Sequence, residues 1–182
     1  MPLTAHEDCL LIVVDAQPGF VEGDPVDRAA WLAALARSLE VPVVVTEEEP
    51  ERNGTTDPRL LSPGTPVFRK PTFGLAGTPE ILEAVRATAR GTAVLVGFET
   101  DVCVYQSAVG LLDAGFRVIA AEDAISSPGE MHERGLSRLR EAGVVLTHCK
   151  ALAYEWVRTV EGASLLPRPA PFRLLGRNHS GS

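Results

Sequence analysis

Cys9-Leu-Leu-Ile-Val-Val-Asp15 is an unbroken apolar run that ends in a carboxylate. A run this short cannot cross a membrane, and its lack of polar alternation predicts a strand buried on both faces. Such a strand needs helices above and below it. Working outward, a Pro18-Gly19 turn leads to residues 26–39, where Ala29, Ala30, Ala33, Ala34 and Leu35 recur at helical spacing. Further strands are expected over 41–46, 67–69, 92–97, 117–121 and 144–147. Helices are expected over 78–89, 101–114, 130–142 and 152–160, the first opened by Thr78 as cap with Pro79 in its first turn. Strands separated by helices mean right-handed crossovers and a parallel sheet. The sequence therefore predicts a doubly wound α/β fold, six parallel strands with helices on both faces.

Residues 1–162 read as one domain, in keeping with a chain of 182 residues. Residues 163–182, with three prolines, three arginines and a Gly-Ser end, read as a tail, flexible or docked on a neighbouring subunit. Hydrophobic residues make up 45% and charged residues 23%, which excludes a wholly disordered chain. The net charge of −7 argues against nucleic acid as partner, because phosphates call for a basic face. No membrane span is expected. Met1 to Asp8 holds acids and no basic region, so no secretory signal is expected. Three widely spaced cysteines, Cys9, Cys103 and Cys149, suit free thiols in a reducing, cytoplasmic setting. No Cys-x-x-Cys pair, Gly-x-Gly-x-x-Gly or P-loop is present.

Ligands of open parallel sheets bind outside the carboxyl ends of the strands. The first strand ends in Asp15-Ala-Gln17, the third in Arg69-Lys70, and the fourth in Gly97-Phe-Glu-Thr-Asp-Val-Cys103. An acid, an ammonium and a thiol form a coherent set. A helix N-terminus capped by Thr100 or Asp101, with Lys70 nearby, would favour the Cys103 thiolate. Asp15 would take the thiol proton and return it to a leaving amine. Each residue also has a plainer explanation: a buried filler cysteine, an aspartate capping a helix, a solvated lysine. Residue pattern alone leaves both open.

Leu11-Ile-Val-Val-Asp15-Ala-Gln17-Pro-Gly-Phe20, the Lys70 segment and Gly97-Phe-Glu-Thr100-Asp-Val-Cys103-Val-Tyr-Gln-Ser-Ala108 resemble the isochorismatase-like cysteine hydrolases. Gly115-Phe-Arg-Val118 and Asp123-Ala-Ile-Ser126-Ser127 extend the resemblance over residues 9–160. It implies a catalytic triad of Asp15, Lys70 and Cys103. It also implies a cis peptide at Phe98-Glu99, aiming the Glu99 and Cys103 amides at the substrate oxygen. Nicotinamidases share the triad but carry a histidine-containing metal site after the second strand. The corresponding region here, Thr46-Glu-Glu-Glu-Pro-Glu-Arg-Asn53-Gly54, has no histidine, so no metal and no cofactor are expected. Glu47, Glu48, Glu49 and Glu51 offer oxygens to a hard cation, but a solvated acidic loop is the expectation.

The resemblance thus implies a metal-independent hydrolase that cleaves an amide, carbamoyl or related C–N bond of a small molecule. A homo-oligomer, dimer or tetramer, is expected with it. The alternatives are a catalytically silent scaffold of the same fold and a nicotinamidase with a non-standard site. Gln17, Phe20, Phe73, Thr100 and Tyr105 are the candidate substrate-binding residues, joined by Asn53. Phe68 and Trp156 read as core, and Cys9 and Cys149 as structural.

Overall fold

Six strands form one sheet: β1 (Cys9–Val14), β2 (Val43–Glu47), β3 (Val67–Arg69), β4 (Thr92–Phe98), β5 (Arg117–Ser126) and β6 (Val145–Thr147). The structure, a computed structural model, describes residues 3–20 and 23–172. Every strand pair is parallel, in the order β3-β2-β1-β4-β5-β6. Every residue of β1 and of β4 is buried, as their apolar runs require.

The helices are α1 (Asp24–Ser38), the single turn α2 (Pro50–Asn53), α3 (Pro79–Ala87), α4 (Tyr105–Asp113), α5 (Met131–Glu141) and α6 (Cys149–Val157). Strand alternation sorts the core into two layers. Leu11, Val13, Val45, Val94, Val96 and Ile119 pack against α1 and α6. Leu10, Ile12, Val14, Val44, Leu95 and Val118 pack against α3, α4 and α5. Helices therefore cover both faces of a doubly wound sheet.

Strand order reverses between β1 and β4, the place where open parallel sheets hold their ligands beyond the carboxyl ends of the strands. Gly97 makes the join. Its φ is +116°, and a Cβ at this point would lie 1.9 Å from Val14 O. No side chain fits, so the two backbones meet directly.

Several boundaries differ from the sequence expectation. The fifth strand was expected to stop at 121, yet β5 continues to Ser126. Leu95 pairs with Ala120 and Gly97 with Ile125, so β5 bulges and returns to the sheet beside the end of β4. The last helix starts at Cys149, three residues early, because Asp123 Oδ1 accepts from Cys149 N at 2.8 Å. That cap comes from β5, far away in sequence. Thr78 occupies the N-cap position of α3, but its hydroxyl does not bond to the first turn. It faces Thr72 Oγ1 at 3.4 Å instead.

Residues 163–172, expected to belong to a separate tail, lie against α1. Trp31 Nε1 donates to Pro167 O at 2.9 Å, and the Trp31 and Phe172 rings meet edge to face at 4.6 Å. Leu166 is buried in the same layer. The rest of the expected tail, 173–182, lies outside the described residues.

Candidate active site

Asp15 directly follows β1, and its backbone has φ +47°, a conformation that aspartate tolerates better than most residues. Its amide donates to Thr46 O at 3.1 Å, and its Oδ1 accepts from Thr46 Oγ1 at 2.8 Å. Two bonds to β2 therefore fix the carboxylate. Lys70 follows β3, and its amide donates to Glu47 O at 3.0 Å. Its Nζ donates to Thr72 O at 3.1 Å and lies 2.6 Å from Asp15 Oδ2. The contact is a buried ion pair. Both side chains are fully buried.

Cys103 lies on a π-helical turn, Thr100–Val104, between β4 and α4. Glu99 O accepts from Val102 N at 3.2 Å and from Val104 N at 3.0 Å, and the Phe98–Glu99 peptide is cis. The turn brings a buried sulfur to the same place: Asp15, Glu48 and Cys103 each present an atom within 4.8 Å of the others. The structure thus brings Asp15, Lys70 and Cys103 together from three separate strand ends.

The side chains of Thr100 and Asp101 brace the turn and do not cap it. Thr100 Oγ1 lies 2.9 Å from His132 Nδ1 on α5. Asp101 Oδ1 accepts from Ser127 Oγ at 2.6 Å, a residue that the bulged end of β5 delivers. Arg138 of α5 lies over the Tyr105 ring at 3.7 Å. Gly135 lets α5 approach, since a Cβ there would come within 2.8 Å of Thr100 Cγ2.

The electrostatics differ from the expectation of a favoured thiolate. Burial pushes the Cys103 thiol well above its ordinary value, and the Asp15 charge adds to this. Lys70 opposes the shift, while Glu48 reinforces it. Burial likewise raises the Asp15 carboxyl, against the pull of Lys70.

Among the candidate substrate-binding residues, Gln17 is committed elsewhere. Its Nε2 donates to Gly54 O at 2.6 Å and Glu48 O at 3.1 Å, and its Oε1 accepts from Glu48 N at 2.8 Å. Asn53 Nδ2 also donates to Glu48 O, at 2.9 Å. Both hold the loop after β2. Thr100 is buried behind the turn, and Phe20 packs on the α1 side of the sheet. Phe73 is half exposed, and Tyr105 packs against the α4 layer. Trp156 is core, while Phe68 is only partly buried.

The residue that sequence reasoning missed is Glu48. The acidic run does not form one solvated loop. Glu47 turns inward and accepts from Thr56 N and Oγ1 at 2.7 and 2.8 Å. Glu49 and Glu51 are exposed beside Arg52 and Arg69. Glu48 alone enters the site, where Cys103 Sγ donates to its Oε2 at 3.4 Å and Lys70 Nζ lies 4.0 Å away. The available signal was period: after the buried β2, successive side chains alternate between faces. Asp15, Glu48 and Cys103 are also the one set of metal-type donors among the described residues. Lys70 already supplies a positive charge beside both carboxylates.

Comparison with known proteins identifies the class. The isochorismatase domain model matches residues 9–150. The chain is 33% identical to isochorismatase domain-containing protein 2 of Rattus norvegicus over 153 residues, covering 80% of this chain and 72% of that one. It is 36% identical to the Xenopus laevis protein of the same name over 124 residues, 67% of this chain and 60% of that one. Among solved structures, the ycaC gene product of Escherichia coli, an octameric hydrolase of unknown specificity, superposes with a TM-score of 0.81 at 25% identity. That match covers 89% of this chain and 88% of the other. A MAR1 ribonuclease from Caenorhabditis elegans superposes at 0.82 with 28% identity, covering 96% and 97%. The chain belongs to the isochorismatase family.

Proposed function

We propose that the protein is a metal-independent cysteine hydrolase that cleaves an amide, carbamoyl or related C–N bond of a small molecule. Cys103 is the nucleophile, Asp15 the proton shuttle, and Lys70 the cation that holds Asp15 in place. As sulfur attacks the carbonyl carbon, the thiol proton passes to Asp15 and the C=O electron pair moves to oxygen. The main-chain N–H groups of Glu99 and Cys103 hold that oxyanion. Collapse breaks the C–N bond, and the leaving nitrogen takes the proton from Asp15. Water then gives a proton to Asp15 while its oxygen attacks the thioester. The C–S bond breaks, and sulfur recovers the proton. Burial raises both the thiol and the carboxyl, so the proton rests on sulfur and has to move to Asp15 as the bond to carbon forms.

The observation that carries this reading is the buried 2.6 Å pair of Lys70 and Asp15 beside the Cys103 sulfur. The test is ammonia release from a panel of primary amides and ureido compounds, wild type against Cys103→Ala, with folding checked by circular dichroism. Turnover lost in the folded variant supports the mechanism; turnover retained overturns it.

A catalytically silent binding protein is the second reading, favoured by the burial and the two carboxylates that keep the thiol protonated. Iodoacetamide separates the two: a Cys103 inert at every pH supports the silent protein. We also propose homo-oligomeric assembly, as in the octameric E. coli relative; light scattering of a purified monomer would overturn it.

A further inference from the structure

Asp15 and Lys70 are sealed from solvent, whereas the Glu48 side chain keeps 20% of its exposure. Glu48 therefore stands on the side from which a substrate approaches. Its position is not adaptable, because Gln17 and Asn53 together make three hydrogen bonds to its main-chain N–H and C=O. The Lys70 ammonium serves it less than it serves Asp15, at 4.0 Å against 2.6 Å. Glu99, half-buried nearby, is a further carboxyl on this side.

A carbonyl carbon poised for attack sits about 3–3.5 Å from the sulfur. Glu48 Oε2 is 3.4 Å from that same sulfur, so it reaches the groups bonded to that carbon. An ionised carboxylate only accepts hydrogen bonds, and a bound substrate strips its water. A hydrocarbon there leaves the charge unpaired, and a second carboxylate repels it.

We propose that Glu48 is the specificity-determining residue: it accepts a hydrogen bond from an N–H donor, neutral or cationic, next to the scissile carbonyl and turns away anionic substrates. Ureido and amidinium-bearing compounds fit; substrates with a carboxylate beside the carbonyl do not. This rests on Cys103 as the attacking group.

Thiol reagents of opposite charge test it. The probes are 2-aminoethyl, 2-sulfonatoethyl and neutral methyl methanethiosulfonate, with labelling of the Cys103 peptide followed by mass spectrometry. Each rate is divided by that with free cysteine. Wild type should favour the ammonium over the sulfonate reagent by about tenfold or more, as expected of a charge within a few ångströms. Glu48→Gln should bring that ratio down by about tenfold, whereas Glu49→Gln, altering an exposed neighbour, should leave it unchanged. Normal labelling by the neutral reagent with no charge preference, or a preference that survives Glu48→Gln, overturns the role of Glu48 and spares the nucleophile. Absence of labelling by all three reagents overturns both. Should Glu48→Gln fail to fold, Glu48→Ala is read in the same way, and about 0.5 M salt separates a preference set at contact distance, which persists, from one set by the chain's net charge, which is screened away.

Discussion

Lys70 Nζ lies 2.6 Å from Asp15 Oδ2, and neither side chain touches solvent. The pair is costly to assemble and costlier to halve. Removing one partner strands an uncompensated charge, at about 3–5 kcal/mol. Lys70→Met and Asp15→Asn should each lower the urea midpoint sharply, and the double variant should be more stable than either. Failure of the double variant to recover stability would show that the pair is not the main tie.

Gln17 ties the loop that carries Glu48 by three hydrogen bonds. Gln17→Leu leaves buried backbone groups unsatisfied, and a loss of about 1–3 kcal/mol is expected. The same variant should weaken the charge preference at Cys103, because Glu48 is freed to move. A variant destabilised but unchanged in preference would locate the control of Glu48 elsewhere.

Gly135→Ala would place a methyl 2.8 Å from Thr100 Cγ2 and 2.9 Å from Asp101 N. α5 must then back away from the π-helical turn. The expected cost is about 1–3 kcal/mol, with slower labelling or turnover at Cys103 even under fully folded conditions. Unfolding curves and iodoacetamide rates measure the two effects separately.

The buried thiols set an alkaline limit to stability. Burial raises the Cys9 thiol from its ordinary 9.0 to about 11. Above 9.0 the unfolded chain gives up this proton while the folded chain keeps it. Cys9 therefore stabilises the fold fully below pH 9.0, and that contribution is lost as pH rises toward about 11. Urea midpoints measured from pH 8 upward should fall, and Cys9→Ala should flatten the slope.

Iodoacetamide labelling of Cys103 should rise at a higher pH than that of a free thiol, since burial and the charges of Asp15 and Glu48 outweigh Lys70. Glu48→Gln should move the profile to lower pH. A wild-type profile below that of a free thiol would show that Lys70 dominates.

Much of this was legible because it is local or periodic. The apolar runs of β1 and β4 announced a sheet covered on both faces, and each strand end carried its site residue in the next few positions. What stayed hidden depends on contacts between distant elements. The Cys149 start of α6 is set by Asp123, and the return of β5 to the end of β4 by a bulge against that strand. Glu48 was lost in an acidic run because composition treats neighbours alike, whereas an extended backbone sends Glu47 inward to Thr56 and Glu48 to the sulfur. The favoured thiolate failed for a related reason. A helix end and a lysine were visible in the sequence, but the burial of the sulfur, the largest cause of the shift, and the second carboxylate facing it were not.

At Gly97 the fourth strand touches the first main chain to main chain, with no room for any side chain between them. The separation of Asp15 from the turn that carries Cys103 is thus fixed by polypeptide atoms that substitution does not alter. The loop that carries Glu48, by contrast, is held by the side chains of Gln17 and Asn53, so what it presents to a ligand answers to substitution. Spacing at this site is thus a property of the backbone, while the charge around the sulfur is a property of side chains such as Glu48.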